Sequence, residues 1–396
     1  MSLTKGFKIP PYHLNETIKL PVFYFLLAGS FASWQSLFNV YLDGIGYSSM
    51  QIGTLNAVFI STSALVVPFW GIVADKFGNY RVLLLLTMVC ALLVYIIGQT
   101  IAFHWMLLFI LIISVFHQPG GAVVDGMTMG FVRNNQQYSY GQFRLWGSAG
   151  WAVFSLLTGY IAAKNTHNIF YFGLISFSLL SLFNLLTLPE KPLKNRSLVN
   201  FRSFAVFFNN GRLMVFLLLI LFSGIAVSPL HQFINLYYKD IGASNSFLGW
   251  VFFVQAIIEI PTFLLGVWLL RRSNPEVVIL VSLLISGIRM FCYSFISDPL
   301  IAISFSAFHG ITIAFFLIAV VEYVQSHTPD HLRTTGQALI WAFHYGAGVT
   351  FGNLILGYVR DHSDMLAAMR LHAIITAFVL IASALFFSLT SLKKKP

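Results

Sequence analysis

The sequence predicts an all-α polytopic membrane protein of twelve transmembrane helices in two six-helix bundles, on three observations. Hydrophobic residues make up 58% of the 396 positions and charged residues only 9%, with a mean hydropathy of +0.80. So little charge could not cover a soluble surface of this size. Long apolar runs recur, such as VLLLLTMVCALLVYIIGQTIAF after Arg81. A bilayer core ~30 Å thick takes about 20 helical residues; lipid cannot solvate bare backbone, and these runs lack the alternation of barrel strands. The third observation is a repeat. FNVYLDGIGYSSMQIG (38–53) and INLYYKDIGASNSFLG (234–249) align without a gap, pairing Asn39 with Asn235, Tyr41 with Tyr237, Gly46 with Gly242, Ser48 with Ser244 and Gly53 with Gly249. Their offset is 196 residues, half the chain. Solenoid periods run ~20–50 residues, so the repeat implies two similar halves.

Polar breaks place the spans in order at 17–42, 49–75, 80–102, 104–132, 138–164 and 167–188, then 212–239, 244–270, 275–296, 298–327, 333–360 and 366–391. The stretch before the first span, MSLTKGFKIPPYHLNET, is too polar for a signal peptide and carries no small-residue cleavage site. Each repeat copy ends the first helix of a half and turns into the second. Gly44 and Gly46 are expected to supply that turn, with Ser48–Ser49 capping the second helix. The long polar segment after Leu188 separates the bundles, giving an N-terminal bundle (1–188), a cytoplasmic linker (189–211) and a C-terminal bundle (212–396).

The formal charge of +10 is an orientation signal rather than a nucleic-acid patch. Lys76, Arg81, Arg133, Lys191, Lys194, Arg196, Arg202, Arg212, Arg271, Arg272, Arg333 and the Lys393–Lys395 tail fall on one side, whereas Lys239, Arg360 and Arg370 dilute the bias on the other. By the positive-inside rule both termini face the cytoplasm. Cys90 and Cys292 lie inside apolar runs and offer neither a disulfide framework nor metal spacing.

Between the second and third spans, GIVADKFGNYR (71–81) resembles the cytoplasmic signature of the major facilitator superfamily. Small Gly71 would permit close helix approach, and Asp75, with Lys76, Gly78 and Arg81, would form a cytoplasmic gate. YGQFRLWGSAGW (140–151) resembles the fifth span of the lactose permease and of the phenylpropionate and nucleoside proton symporters. The resemblance implies that Arg144 works with an acid on span four, Asp125, and that Trp151 stacks on a sugar ring. It further implies a proton-coupling set of Glu259, Arg289 and His309. The chain departs from the sugar permeases in carrying Thr312 where they place a glutamate after the span-ten histidine. The family implies a major facilitator fold that rocks around a central cavity.

The buried charges make an independent case. A charge at mid-helix in a membrane costs ~2.5–3.5 kcal/mol on insertion scales, so such residues face a cavity or a partner. Arg144 suits bidentate contact with hydroxyl or carboxylate oxygens, against the alternative of an Asp125–Arg144 helix clamp. His309 and Glu259 can exchange protons. Glu322 reads as a cap or gate residue, and His344 as unassigned. Trp151 lies on the same helical face as Arg144, two turns on. Asn39, with Trp34 and Gln35, and His231 and Asn235, with Gln232, occupy related positions of the two halves, where they serve either solute recognition or helix–helix hydrogen bonding. No His-Glu-x-x-His set, Gly-x-Ser-x-Gly elbow or Walker loop is present, and the short loops leave no room for a signalling domain. The expectation is a monomeric, cofactor-free symporter of the bacterial inner membrane. It would take up a small organic solute with protons, a sugar or oligosaccharide first, an aromatic carboxylate or nucleoside second, with drug–proton antiport third.

Overall fold

A computed structural model describes residues 15–187, 211–328 and 333–392. The expected linker (189–211) and the Lys393–Lys395 tail lie outside these residues apart from Gly211. Twelve membrane-crossing helices are present among them: α1 (Glu16–Gly44), α2 (Ser49–Phe77), α3 (Asn79–Gly98), α4 (Phe103–Asn134), α5 (Tyr140–Lys164), α6 (Asn168–Leu186), α7 (Gly211–Asp240), α8 (Asn245–Leu270), α9 (Pro275–Tyr293), α10 (Pro299–His327), α11 (Gly336–His362) and α12 (Met365–Thr390). Helix α1 packs along α5 and α3 along α6, while α5 against α8 and α2 against α11 join the halves.

The repeat builds the same turn twice. At the end of α1, Ile45, Gly46 and Tyr47 donate their amides to the carbonyls of Tyr41, Asp43 and Leu42; at the end of α7, Ile241, Gly242 and Ala243 donate to Tyr237, Lys239 and Tyr238. Both closures need a positive φ, 92° at Gly46 and 91° at Gly242, which glycine adopts without a Cβ clash. Gly44 is not part of the turn proper, because α1 runs through it. Ser48 then caps α2, accepting from Gln51 N–H within a capping box, and Ser244 caps α8 by accepting from Phe247 N–H.

One hydrophobic cluster runs through both halves at the repeat end, from Trp34, Phe38 and Leu55 to Phe233, Tyr237, Val251 and Leu356. At the other end, where α1 begins and α12 ends, each half keeps a cluster of its own. Leu20, Phe23, Trp70 and Val124 belong to one, Phe216, Ile279, Tyr323 and Phe387 to the other. The halves are therefore sealed together at the repeat end and separately packed at the terminal end.

That asymmetry corrects one expectation. Gly71 is exposed, and a Cβ there would meet none of the described residues within 4 Å, so in this state it mediates no close approach between the described helices. Gly78 does have a conformational duty: its φ of 94° lets the chain turn from α2 into α3. Lys76 and Arg81 are exposed at the same turn, and Asp75 is half-buried.

The second half is also the less regular one. Helices α7, α10 and α11 each contain a π-helical segment, Pro229–Phe233, Ile311–Phe315 and Ala342–Val349. In the first half α4 is interrupted at His117–Gln118, ahead of Pro119. Wide π turns release backbone from the regular ladder and collect at functional sites.

Candidate solute cavity and charged layer

A cavity of about 90 Å³ lies between the halves below the sealed repeat end. Its polar groups are Gln35, Ser36, Asn39, Asn56, His231, Gln232 and Asn235, and its aromatic walls include Trp34, Phe59, Trp151 and Phe252. The structure thus brings together four of the residues expected at the solute site: Asn39, Trp151, His231 and Asn235. Among the described residues, no carboxylate, lysine or arginine lines this cavity.

The two repeat asparagines cross between halves in a pseudo-symmetric pair. Asn39 Nδ2 donates to the Gln232 carbonyl at 2.5 Å, and Asn235 Nδ2 donates to the Ser36 carbonyl at 2.9 Å. Asn56 on α2 steadies the first of these by donating to Asn39 Oδ1 at 3.2 Å. Each donor is a cavity-lining amide, so in this state it serves as a clasp rather than as a free solute contact.

Asp125 and Arg144 lie elsewhere. Arg144 is about 10 Å nearer the terminal end than Trp151, counting seven residues of helix rise. It is hemmed in by protein yet accessible to water. Asp125 accepts hydrogen bonds from Tyr24 (2.6 Å) and Tyr140 (2.9 Å). It makes no direct ion pair with Arg144 within 4 Å, although the two interact electrostatically. Arg144 also acts on Glu259 across the α5–α8 contact, where Ser148 donates to Glu259 Oε2 at 3.5 Å.

The expected coupling set is therefore divided. Glu259 belongs with Arg144 and Ser148, not with Arg289. Arg289 instead donates to Thr312 (3.0 Å) and Tyr293 (3.4 Å) and acts on His309 and His231. His344 joins this second group: its ring lies 6.5 Å from that of His231, and its Nδ1 pairs with Ser223 Oγ at 3.1 Å. Glu322 is exposed on α10. None of the described residues forms a cluster of His, Cys, Asp and Glu able to hold a metal.

A further constellation at the repeat end escaped the sequence reading. Arg360 on α11 binds Asp43 of the first half (2.8 Å) and Asp240 of the second (2.8 and 3.1 Å), and its side chain is only 11% exposed. Its neighbour Asp361 accepts the amide protons of Ser49 (2.6 Å) and Met50 (2.8 Å) at the start of α2. A carboxylate there complements the positive end of the helix dipole. The only sequence signal was that Arg360 broke the charge bias on its side.

Twelve helices in two halves, sealed together at one end around a polar cavity and separately packed at the other, define a membrane transporter of small solutes. The family model described as "MFS_1 like family" matches residues 17–371, and the chain belongs to that branch of the major facilitator transporters. It is 25% identical over 372 residues to a maltose permease of Geobacillus stearothermophilus, covering 90% of this chain and 91% of the relative. It is 22% identical over 363 residues to a sucrose permease of Escherichia coli, covering 86% of each. A crystal structure of the nucleoside transporter NupG superposes with a TM-score of 0.83 at 19% identity, covering 94% of this chain and 99% of that one. The last likeness is one of fold.

Proposed function

We propose that the protein takes up a neutral, hydroxylated solute, a sugar or oligosaccharide, by proton symport. Its repeat end would face outward and its termini the cytoplasm of a bacterial cell. The observation that carries this reading is the cavity itself: amides, one imidazole and aromatic faces, with no carboxylate, lysine or arginine from the described residues in its wall. Amide groups recognise hydroxyls through neutral hydrogen bonds, and an indole such as Trp151 stacks on the apolar face of a pyranose ring. An organic anion would leave its charge in this cavity without a partner, since Arg144 sits in the next layer beside Glu259. Similarity to a maltose and a sucrose permease supports the same class. A nucleoside is the second reading, because the aromatic wall also suits a base and the amides a ribose.

In this scheme the halves are open toward the cytoplasm as they stand. Closure there and parting at the repeat end would free Asn39 and Asn235 from each other's helices and turn their amides toward incoming solute. Glu259 is the proposed proton carrier. Ionised, it attracts Arg144 and holds α8 to α5; protonated, it releases that attraction and lets the halves rock.

A ligand panel read by thermal stabilisation of the purified protein tests the solute class. Maltose and sucrose should stabilise it, with uridine as the nucleoside arm and 3-phenylpropionate as the anionic arm. Stabilisation by the carboxylate alone overturns the reading.

A further inference from the structure

Arg289 stands out among the charges of the second half because no carboxylate pairs with it among the described residues. It is 1% exposed, and its guanidinium donates only to the neutral hydroxyls of Thr312 and Tyr293. Its Nε is buried without an acceptor. A buried lysine or histidine can shed its proton; an arginine cannot. A permanent charge withdrawn from water needs a counter-charge, so this one calls for an anion.

The structure provides a place for it. A small pocket of about 20 Å³ has His231, Ser282, Ser286, His309, Thr312 and His344 as its polar wall and apolar side chains such as Leu283 and Phe316 elsewhere; Arg289 does not itself line it but reaches it through Thr312. Thr312 receives the Nη1 bond of Arg289, and Ser286 precedes Arg289 by one turn on α9. His309 Nδ1 is buried and unpartnered, and neither ring nitrogen of His231 is hydrogen-bonded among the described residues. All three π-helical segments reach this pocket. His231 lies in the first, His344 in the third, and Thr312 in the second, just after His309. Size narrows the occupant. One water needs about 10–15 Å³ of such space, so the pocket admits a monatomic ion and excludes an organic acid.

We infer that this pocket binds chloride or a similar small monovalent anion, which neutralises Arg289 and draws the three helices together. The site is separate from the solute cavity but shares the His231 wall with it. Solute-free protein is enough to test it, so its outcome is independent of the solute assignment.

The test is thermal unfolding of the purified full-length protein, with sodium chloride exchanged for sodium gluconate at constant ionic strength. The melting temperature should rise saturably with chloride, and bromide should act likewise, while gluconate and sulfate should not. Arg289→Gln should abolish the chloride-dependent rise. Thr312→Asp places a carboxylate where Nη1 already donates. It should raise the melting temperature in gluconate and leave it insensitive to chloride, which keeps the test decisive if Arg289→Gln fails to fold. Equal melting temperatures of the native protein in chloride and gluconate overturn the inference. So does a chloride response that persists in Thr312→Asp.

Discussion

At the scale of single residues, Trp151 and Glu259 carry separable parts of the account. Trp151 lines the cavity, where a stacked aromatic contributes about 1 kcal/mol beyond its buried area. Trp151→Ala should therefore weaken sugar binding roughly fivefold, and Trp151→Tyr should keep most of it. Titration calorimetry reads both, and an unaltered affinity in the alanine variant removes Trp151 from the site. Glu259 lies one layer away beside Ser148 and Arg144. Glu259→Gln mimics the protonated carboxyl, so the variant should exchange solute across the membrane at equilibrium yet fail to concentrate it. Normal uphill accumulation by that variant would assign the proton elsewhere. The sequence singled out both residues but gave Glu259 a different partner from the one the structure places beside it. It linked Glu259 to Arg289 on helices of one half, whereas the contact is made across halves, a relation that linear order does not encode.

Among the elements, close packing of α5 on α8 and of α2 on α11 rests on glycines. A Cβ at Gly159 would lie 2.8 Å from Gly249 Cα, and one at Gly357 would lie 2.5 Å from the Ser49 carbonyl and 3.0 Å from Met50 Cα. Gly53 and Gly249, partners in the repeat, occupy equivalent positions in the two contacts. That is the physical reason the chain states the motif twice: each copy turns one helix and presents a glycine to the opposite half. Gly249→Val should wedge α5 from α8 and favour states open at the repeat end. A cysteine introduced at Gln35, with Cys90 and Cys292 replaced by serine, should then react faster with a membrane-impermeant maleimide from that side. No increase in rate would contradict the packing argument. All twelve spans were legible from run length and polar breaks, with ends within a few residues. The π-helical segments were not, because they depend on hydrogen-bond register rather than on composition.

Across the whole molecule, the repeat end is closed in two tiers, the asparagine clasp above the cavity and the Arg360 cluster beyond it. Arg360 is held by acids of both halves, and Asp361 reaches from the second half to the start of α2 in the first. A single partly buried guanidinium bridging two carboxylates is a stronger fastening than an exposed ion pair. Arg360→Gln should shift the population toward the open repeat end, raising maleimide reactivity at the same Gln35→Cys reporter, and unchanged labelling would demote the cluster to surface chemistry. Neither tier was evident in the sequence as a gate, since its members lie up to 317 positions apart along the chain. The two-bundle architecture, by contrast, was already written in the half-length repeat.

The most direct test of the central claim is uptake of radiolabelled maltose and sucrose into liposomes holding the purified protein, with and without an imposed proton-motive force. A potential of 100 mV, inside negative, supplies about 2.3 kcal/mol per charge. One proton per sugar therefore supports accumulation of roughly 50-fold over the external level. The account predicts concentrative uptake of at least one of these sugars, which collapses to simple equilibration when a protonophore is added. Equilibration without accumulation of every sugar that enters, whatever the gradient, would contradict proton symport, and exclusion of both sugars alongside accumulation of an aromatic acid would contradict the neutral site.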